Sequence, residues 1–427
     1  MNIVILSGGS GKRLWPLSND IMSKQFLKLL KNPTGDFESM AQRVMRQINA
    51  AHPDANVFVS CNAAHVDILH SQITSAKSIV EPSRRDTFPA ISLAAAYLRY
   101  NENLDESDVF VVCPIDVFAE SRYFDLLADV KKLTERHEIG LLGVTPTYPS
   151  EKYGYILQKD GIVTGFVEKP SAGKAEQLIS GGALWNCGVF ALKIGYVLER
   201  AKKYADFDCF ESLYEQYSKL PQISFDYEVV EKERSIGSVM YGGVWKDLGT
   251  WNTLTEEMES SSIGSNVLIS ENCRNTHVLN MLNIPIIAQE INDAVIIASH
   301  DGILVSSKHG SSFLKPLAEQ INLRPMYEQR RWGNYRILDY KQIGETPSII
   351  KRTRINAGQS VIFETQTEKN EKEILVIIRG KGILTENNFD SVISPGSVIQ
   401  INHGEKKSLL AATDIELIEI QWGDGEL

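Results

Sequence analysis

From residue 2 to about 150, short apolar runs alternate with longer stretches of helical periodicity, and this alternation constrains the fold more than any other feature. "IVIL" (3–6), "VFVSC" (57–61), "SIV" (78–80), "VFVVC" (109–113) and "IGLLGV" (139–144) suit strands buried on both faces. Between them, "FESMAQRVMRQI", "HVDILHSQI", "FPAISLAAAYLRY" and "YFDLLADVKKLTERH" carry a helical period. Strands that alternate with helices in this way predict an α/β domain, a mostly parallel sheet with helices on both faces. Ligands of such sheets bind beyond the carboxyl ends of the strands.

The first strand runs straight into "SGGSGKRLWPLS". Gly8, Gly9 and Gly11 let the backbone turn tightly and bring N–H groups near an anion, while Lys12 and Arg13 add positive charge. Two common phosphate loops fail on spacing. A P-loop needs glycine where Leu6 stands and Ser or Thr where Arg13 stands. A dinucleotide fingerprint needs a third glycine where Leu14 stands. The loop is therefore a phosphate candidate of another kind.

At 427 residues the chain is long enough for two or three domains. No run approaches the roughly 20 apolar residues of a membrane span, and no signal-peptide pattern precedes the first strand, so a cytoplasmic location is expected. A net charge of −10 argues against general nucleic-acid binding, although a local basic cluster can still hold an anionic substrate. The five cysteines are scattered without a C-x-x-C pair, which fits reduced thiols rather than a zinc site. The mixed α/β character continues, more interrupted, to the serine cluster at Ser260–Ser262. Three domains follow: 1–260, a β-rich connector at 261–325 with a helical stretch near 316–322, and 326–427, whose short strands punctuated by glycines suit a β-sandwich or barrel.

Strand ends of the first domain carry polar groups. "CPID" sets Asp116 just past a buried strand, and "VWKDLGTW" sets Asp247 between two tryptophans. Two carboxylates beside a phosphate loop suit Mg²⁺, although each alone reads equally as a turn or helix cap. "GFVEKP" ends a strand in Glu168-Lys169-Pro170, the charged pair being either an exposed ion pair or a grip on a sugar hydroxyl and a phosphate. "LWNCGVF" presents the Asn186 amide, and "EPSRRDTFPA" offers Glu81 and backbone carbonyls to a base edge or, equally, caps the following helix.

The order of these motifs is more informative than any one of them. The glycine-rich loop with arginine, S-K-Q-F, E-P-x-x-R-x-T-x-P-A, P-x-D, Y-G-Y-I, F-V-E-K-P, W-N-x-G and W-x-D-x-G-x-W follow one another over some 250 residues. In this the chain resembles the mannose-1-phosphate guanylyltransferases, specifically the long bacterial form that ends in a mannose-6-phosphate isomerase module. The resemblance implies a Rossmann-like nucleotidyltransferase domain that moves GMP from GTP to α-D-mannose 1-phosphate with Mg²⁺, in a homodimer. It assigns Gly8, Gly9, Gly11, Arg13 and Lys24 to the GTP phosphates, and Glu81, Pro82 and Arg85 to the neighbourhood of the guanine. Asp116 and Asp247 would bind the metal; Gly154, Glu168, Lys169 and Asn186 would hold the sugar phosphate. Arg13, Lys24 and Lys169 carry the catalytic charge. The chain departs from the family pattern at Ser23 (usually Pro), Asp86 (Asn), Val117 (His) and Cys187 (Ser).

"RRWGNY" (330–335) and the strands after it resemble the cupin-fold isomerase module, whose metal site uses Gln, His, Glu and a second His. Gln366 and Glu373 are kept; Glu368 stands where the first His belongs, Lys406 or Lys407 near the second, with His403 out of register. The resemblance thus implies a cupin-like β-barrel without its isomerase chemistry, serving dimerisation or stability. Two other readings remain open at this level: a guanylyltransferase for another sugar 1-phosphate, such as a heptose or glucose, and a non-catalytic nucleotide-sugar sensor or scaffold.

Overall fold

A computed structural model describes residues 1–8, 11–159, 162–343, 346–365 and 371–423. The chain divides into two units: Met1–Leu14 with Ser23–Ser261, and Trp15–Met22 with Ser262–Leu427.

The first unit is built on a nine-stranded sheet. Its strands are β1 (Asn2–Ser7), β2 (Asn56–Asn62), β3 (Lys77–Glu81), β4 (Val109–Pro114), β6 (Ile139–Val144), β7 (Tyr155–Lys159), β8 (Ile162–Val167), β9 (Leu184–Lys193) and β10 (Ile236–Tyr241). A separate ribbon pairs β5 (Val117–Ala119) with β11 (Trp245–Asp247). The spatial order is β3-β2-β1-β4-β9-β6-β10-β8-β7. The neighbours β3, β2, β1 and β4 are parallel, as the alternation predicts. Beyond β4 the sheet is mixed, because β9 runs antiparallel to both β4 and β6. Only two residues separate β7 from β8, which obliges another antiparallel pair.

Helix α1 (Met40–Ala51) starts with a capping box: the Ser39 side chain accepts from the Gln42 backbone, and the Gln42 side chain accepts from that of Ser39. Helix α2 (Thr87–Tyr100) is buried along most of its length, from Phe88 through Ile91, Leu93, Ala94, Ala95 and Ala96 to Leu98. The alanines allow it to lie close against the sheet in one core with Val4, Phe58, Phe110, Leu141 and Phe190. The periodic stretch at 123–137 is broken into two shorter helices, α3 (Ser121–Asp125) and α4 (Leu127–Leu133).

The second unit begins with short strands β12 (Ser262–Gly264), β13 (Val267–Ile269), β14 (His277–Asn280), β15 (Ile286–Ala288), β16 (Ala294–Ser299) and β17 (Gly302–Ser307). Ser262 pairs in parallel with Val278, and Val278 with Ile296, so the chain coils upon itself. That coil was not legible as a repeat in the sequence. Buried Asn280 holds one corner, donating to the Ser265 and Ile284 carbonyls and accepting from the Leu282 N–H. The helical stretch expected near 316–322 shrinks to Lys315–Ala318.

The chain then forms β18 (Tyr327–Arg330), β19 (Gly333–Ile343), β20 (Thr346–Ile355), β21 (Ser360–Glu364), β22 (Lys372–Arg379), β23 (Gly382–Glu386), β24 (Phe389–Ile393), β25 (Val398–Ile401), β26 (Lys406–Ala411) and β27 (Ile415–Trp422). Sheets in the orders β20-β27-β22-β25 and β21-β26-β23-β24 make an eight-stranded jelly roll, the cupin architecture; β19 and β18 extend the first sheet. Alternate residues fill its core, among them Ile355, Leu375, Ile377, Leu409, Ile415 and Leu417.

Candidate active site

The carboxyl ends of β1 and β4 converge because the two strands are parallel neighbours. β1 ends at Ser7, and the loop starting at Gly8 follows. A side chain at Gly8 would meet nothing within 4 Å, so the glycine leaves open space beside the backbone. Gly9 lies outside the described residues. Gly11 opens a 3-10 turn, Gly11–Leu14, which carries exposed Arg13. The turn after β4 is pinned by the Ile115 N–H donating to the Leu6 carbonyl, 3.1 Å away. Asp116 stands in that turn. The β5–β11 ribbon sets Asp247 opposite Val117, which brings two carboxylates 131 positions apart in sequence to one place.

Lys24 lies between them. Its Nζ is 2.7 Å from Asp116 and 3.5 Å from Asp247, the three side chains being 16%, 34% and 35% exposed. Burial by itself would lower the lysine pKa, but the charges of Asp116 and Asp247 outweigh it and raise it. In the same way burial would raise Asp116, and the ammonium beside it holds the carboxyl below its usual range. Arg13 adds its positive charge to both groups. The turn carrying Lys24 is tied to β1, since the Gln25 amide donates to the Ser7 hydroxyl at 3.1 Å.

Two carboxylates focused on one cationic centre fit a divalent metal. The Oδ1 of Asp247 is buried and makes no hydrogen bond. Among the described residues no group of three or more His, Cys, Asp or Glu side chains could cage an ion. That donor set suits a metal whose remaining ligands are water and substrate phosphates.

A second cluster is equally compact. The Glu168 carboxylate accepts from Lys169 at 2.6 Å, and its other oxygen is buried with no hydrogen-bond partner. Gly154 lies against it: a Cβ there would sit 2.3 Å from Glu168 Oε2 and 2.7 Å from the Phe166 ring. Only glycine fits. Lys169 has a left-handed backbone, φ +46°, an uncommon conformation for a non-glycine residue that aims its half-exposed ammonium alongside the Tyr227 ring. Asn186 sits at a bulge of β9, where Gly188 at φ +76° donates its N–H to the Asn186 side-chain oxygen. The Asn186 N–H donates in turn to the Gly154 carbonyl at 2.8 Å. All four residues assigned to the sugar phosphate are therefore brought together.

Asp226 completes this cluster, and sequence reasoning missed it. It stands in the short helix α5 (Phe225–Glu228), started by Ser224, and accepts from the Asn186 amide at 2.5 Å. Burial, reinforced by the nearby charge of Glu168, pushes its carboxyl up to about 7. The signal was the acid two residues after a helix-capping serine in "SFDYE", indistinguishable by sequence from a solvated first-turn carboxylate.

The residues assigned to the base are less free. Glu81 ends β3 with its side chain turned inward, where Ser60 and Tyr217 donate to it at 3.0 and 3.2 Å. Burial raises its pKa despite those bonds. The Arg85 guanidinium donates twice to the Leu220 carbonyl. Pro82 is exposed. Asp86, at φ +71°, caps α2 by accepting from the Thr87 N–H.

In the jelly roll, Gln366 and Glu368 lie outside the described residues. Glu373 and Glu419 are buried side by side in the interior, and burial followed by the Glu419 charge raises Glu373 to about 9. Lys351 pairs with Glu419 at 2.6 Å, and Thr353 donates to it at 3.2 Å. Lys407 is buried as well and donates to the Gln400 carbonyl.

A glycine-rich loop, a lysine clamped by two carboxylates, and a polar cluster of Glu168, Lys169, Asn186 and Asp226 stand on one α/β unit. The sequence pattern of the nucleotidyl transferases matches residues 2–262, and the chain belongs to that family: it is a nucleotidyltransferase. A Salmonella montevideo protein named mannose-1-phosphate guanylyltransferase is 26% identical, covering 98% of this chain and 95% of its own. The alginate biosynthesis protein AlgA of Pseudomonas putida is 29% identical over 98% of this chain and 92% of its own. A Thermus thermophilus crystal structure described as a mannose-1-phosphate geranyltransferase shares the fold: TM-score 0.63, 24% identity, covering 75% of this chain and 99% of that one.

Proposed function

We propose that this enzyme transfers GMP from GTP to α-D-mannose 1-phosphate, giving GDP-mannose and pyrophosphate. The observation that carries the reading is Lys24 held between Asp116 and Asp247 beside the glycine-rich loop. The choice of sugar and base is supported by relatives named mannose-1-phosphate guanylyltransferase that match 98% of the chain. Relatives named for alginate and xanthan biosynthesis support a place in polysaccharide precursor supply.

A phosphate oxygen of the sugar 1-phosphate attacks the α-phosphorus of GTP. A new P–O bond forms as the bond to the β-phosphate oxygen breaks, and pyrophosphate leaves with its electron pair. The nucleophile is already ionised near neutral pH, so no strong general base is needed. The barrier lies in bringing two polyanions together and in the charge that builds on the transferred group. Arg13, Lys24 and the backbone N–H groups of the loop answer that charge at the nucleotide. Lys169 does so at the sugar phosphate. The unpartnered Glu168 oxygen and the Asn186 amide are set to bind sugar hydroxyls. Mg²⁺, held by Asp116 and Asp247, would neutralise phosphate charge and act as a Lewis acid.

The jelly roll is proposed to be structural, since Glu373, kept from the isomerase pattern, shares a buried site with Glu419 and Lys351. No helix among the described residues is long and apolar enough to cross a membrane. Assembly as a cytoplasmic homodimer is checked by light scattering and fractionation.

The decisive test is pyrophosphate release from GTP with a panel of sugar 1-phosphates. Turnover is expected with mannose 1-phosphate and is expected to vanish in Asp116→Ala and in Asp247→Ala. Near-normal activity of either variant at low Mg²⁺ would remove the metal assignment. Turnover only with another sugar would correct the substrate.

A further inference from the structure

A cavity of about 350 Å³ in the second unit shares no residue with the site described above. It is lined by Asn283, Asn334, Arg336, Arg352, Thr353, Arg354 and Glu416. Asn283 comes from the turn between β14 and β15; the others come from the neighbouring strands β19, β20 and β27. Along β20, Ile349, Thr353 and Ile355 are buried in the jelly roll. Strand alternation therefore puts Arg352 and Arg354 on the outer face of the sheet, away from the barrel interior.

The register is costly for a fold that had no use for it. Arg336 stands directly opposite Arg352 across the β19–β20 ladder, and Asn334 opposite Arg354. Like charges in facing positions oppose strand pairing. Arg352 is partly offset by Glu416 and Arg354 by Asp414. Arg336 makes no ion pair among the described residues; its guanidinium instead hydrogen-bonds the His300 ring at 3.2 Å. Burial and the Arg336 charge depress the His300 pKa, against the raising effect of Asp301. Three guanidiniums thus line the cavity; Glu416 and Asp414 pair with two of them, and the net excess is the positive charge of Arg336, on a protein whose net charge is −10.

We infer that this cavity is a binding site for a small phosphorylated anion. Its volume falls within the roughly 300–1,000 Å³ of small-molecule sites. Guanidinium forks match the paired oxygens of a phosphate group, and a dianion is answered by two of them. The two asparagine amides add donors and acceptors suited to hydroxyls, as on a phosphorylated sugar. The site stands on its own geometry and does not depend on the sugar assigned above.

The test is calorimetric titration of the full-length protein with glucose 6-phosphate and, separately, inorganic phosphate, each against sulfate at matched ionic strength. Neither probe is consumed or released by the proposed reaction. Binding is expected to weaken about tenfold or more in Arg336→Gln. Asn283→Asp, an isosteric change at an exposed turn, introduces a carboxylate and is expected to weaken it comparably without loss of fold. The rate of pyrophosphate release is expected to be unchanged in both variants. Tighter binding of glucose 6-phosphate assigns the site to a phosphate ester, and tighter binding of phosphate to the free ion. Isotherms unaltered by Asn283→Asp and Arg336→Gln, absence of binding by both probes, or equal binding of sulfate overturns the proposal.

Discussion

Lys24 shows how one residue's chemistry depends on its neighbours. A lysine this confined would give up its proton more readily in apolar surroundings, yet two carboxylates keep it charged. Asp226 is the converse case. With its carboxyl at about 7 rather than near 4, the folded state holds a proton that the unfolded chain releases earlier. The sign follows: stability linked to this group is full below about pH 4 and is lost as pH rises toward and through about 7. Asp226→Asn keeps an acceptor for Asn186 and removes the titration. Its melting temperature relative to wild type is expected to improve from about pH 5 to about pH 8. A constant difference across that range would show that Asp226 does not titrate there. The pH dependence of kcat/KM for the sugar phosphate is expected to flatten in the same variant, because Asp226 orders Asn186.

At the scale of elements, the segment after the glycine-rich loop is held within the second unit. The Ser299 hydroxyl donates to the Pro16 carbonyl at 2.8 Å, and Asp301 accepts from Asn19 at 2.7 Å and from the Met326 N–H at 2.6 Å. Gly302, at φ +150°, leaves room for the Trp15 ring, whose nearest atom would be 2.5 Å from a Cβ. Gly302→Ala is expected to cost about 1–3 kcal/mol through clash and backbone strain. Since Arg13 and Lys24 flank the displaced segment, KM for GTP is expected to rise as well. Thermal unfolding and initial rates check both; a variant with wild-type Tm would mean that Trp15 repacks at no cost.

The jelly-roll strands offer a second element-scale test. Burial and Glu419 raise Glu373 to about 9, so its linked stability is full below about pH 4 and is lost as pH rises through about 9. Glu373→Gln is expected to leave the barrel folded and to gain stability over wild type in that window, the gain growing with pH. Unfolding of the variant at neutral pH would instead reveal that the carboxylate itself is required.

For the whole molecule, the division into two units makes truncation informative. Ending the chain at Ser261 removes no strand of the nine-stranded sheet, but it strips Trp15–Met22 of Ser299, Asp301 and Gly302. The shortened protein is expected to keep its α/β circular dichroism and to lose at least about tenfold in kcat/KM for GTP. Full activity after truncation would show that the segment orders itself.

The α/β alternation, the glycine-rich loop and the two aspartates Asp116 and Asp247 were legible in the sequence, because local hydrophobic period and motif order are written in consecutive residues. Gly154, Glu168, Lys169 and Asn186 were legible for the same reason, each lying in its own short motif. What folding alone decided are relations between distant residues. Tertiary structure brought Asp247 to Asp116 through a two-stranded ribbon, turned Glu81 inward onto Ser60 and Tyr217, and set Asp226 against Asn186. It also inserted β9 antiparallel, coiled the connector, and aligned Arg336 with Arg352 on one outer face. A sequence fixes which groups are available and their local spacing; burial, register and long-range pairing set the charge, direction and partner of each.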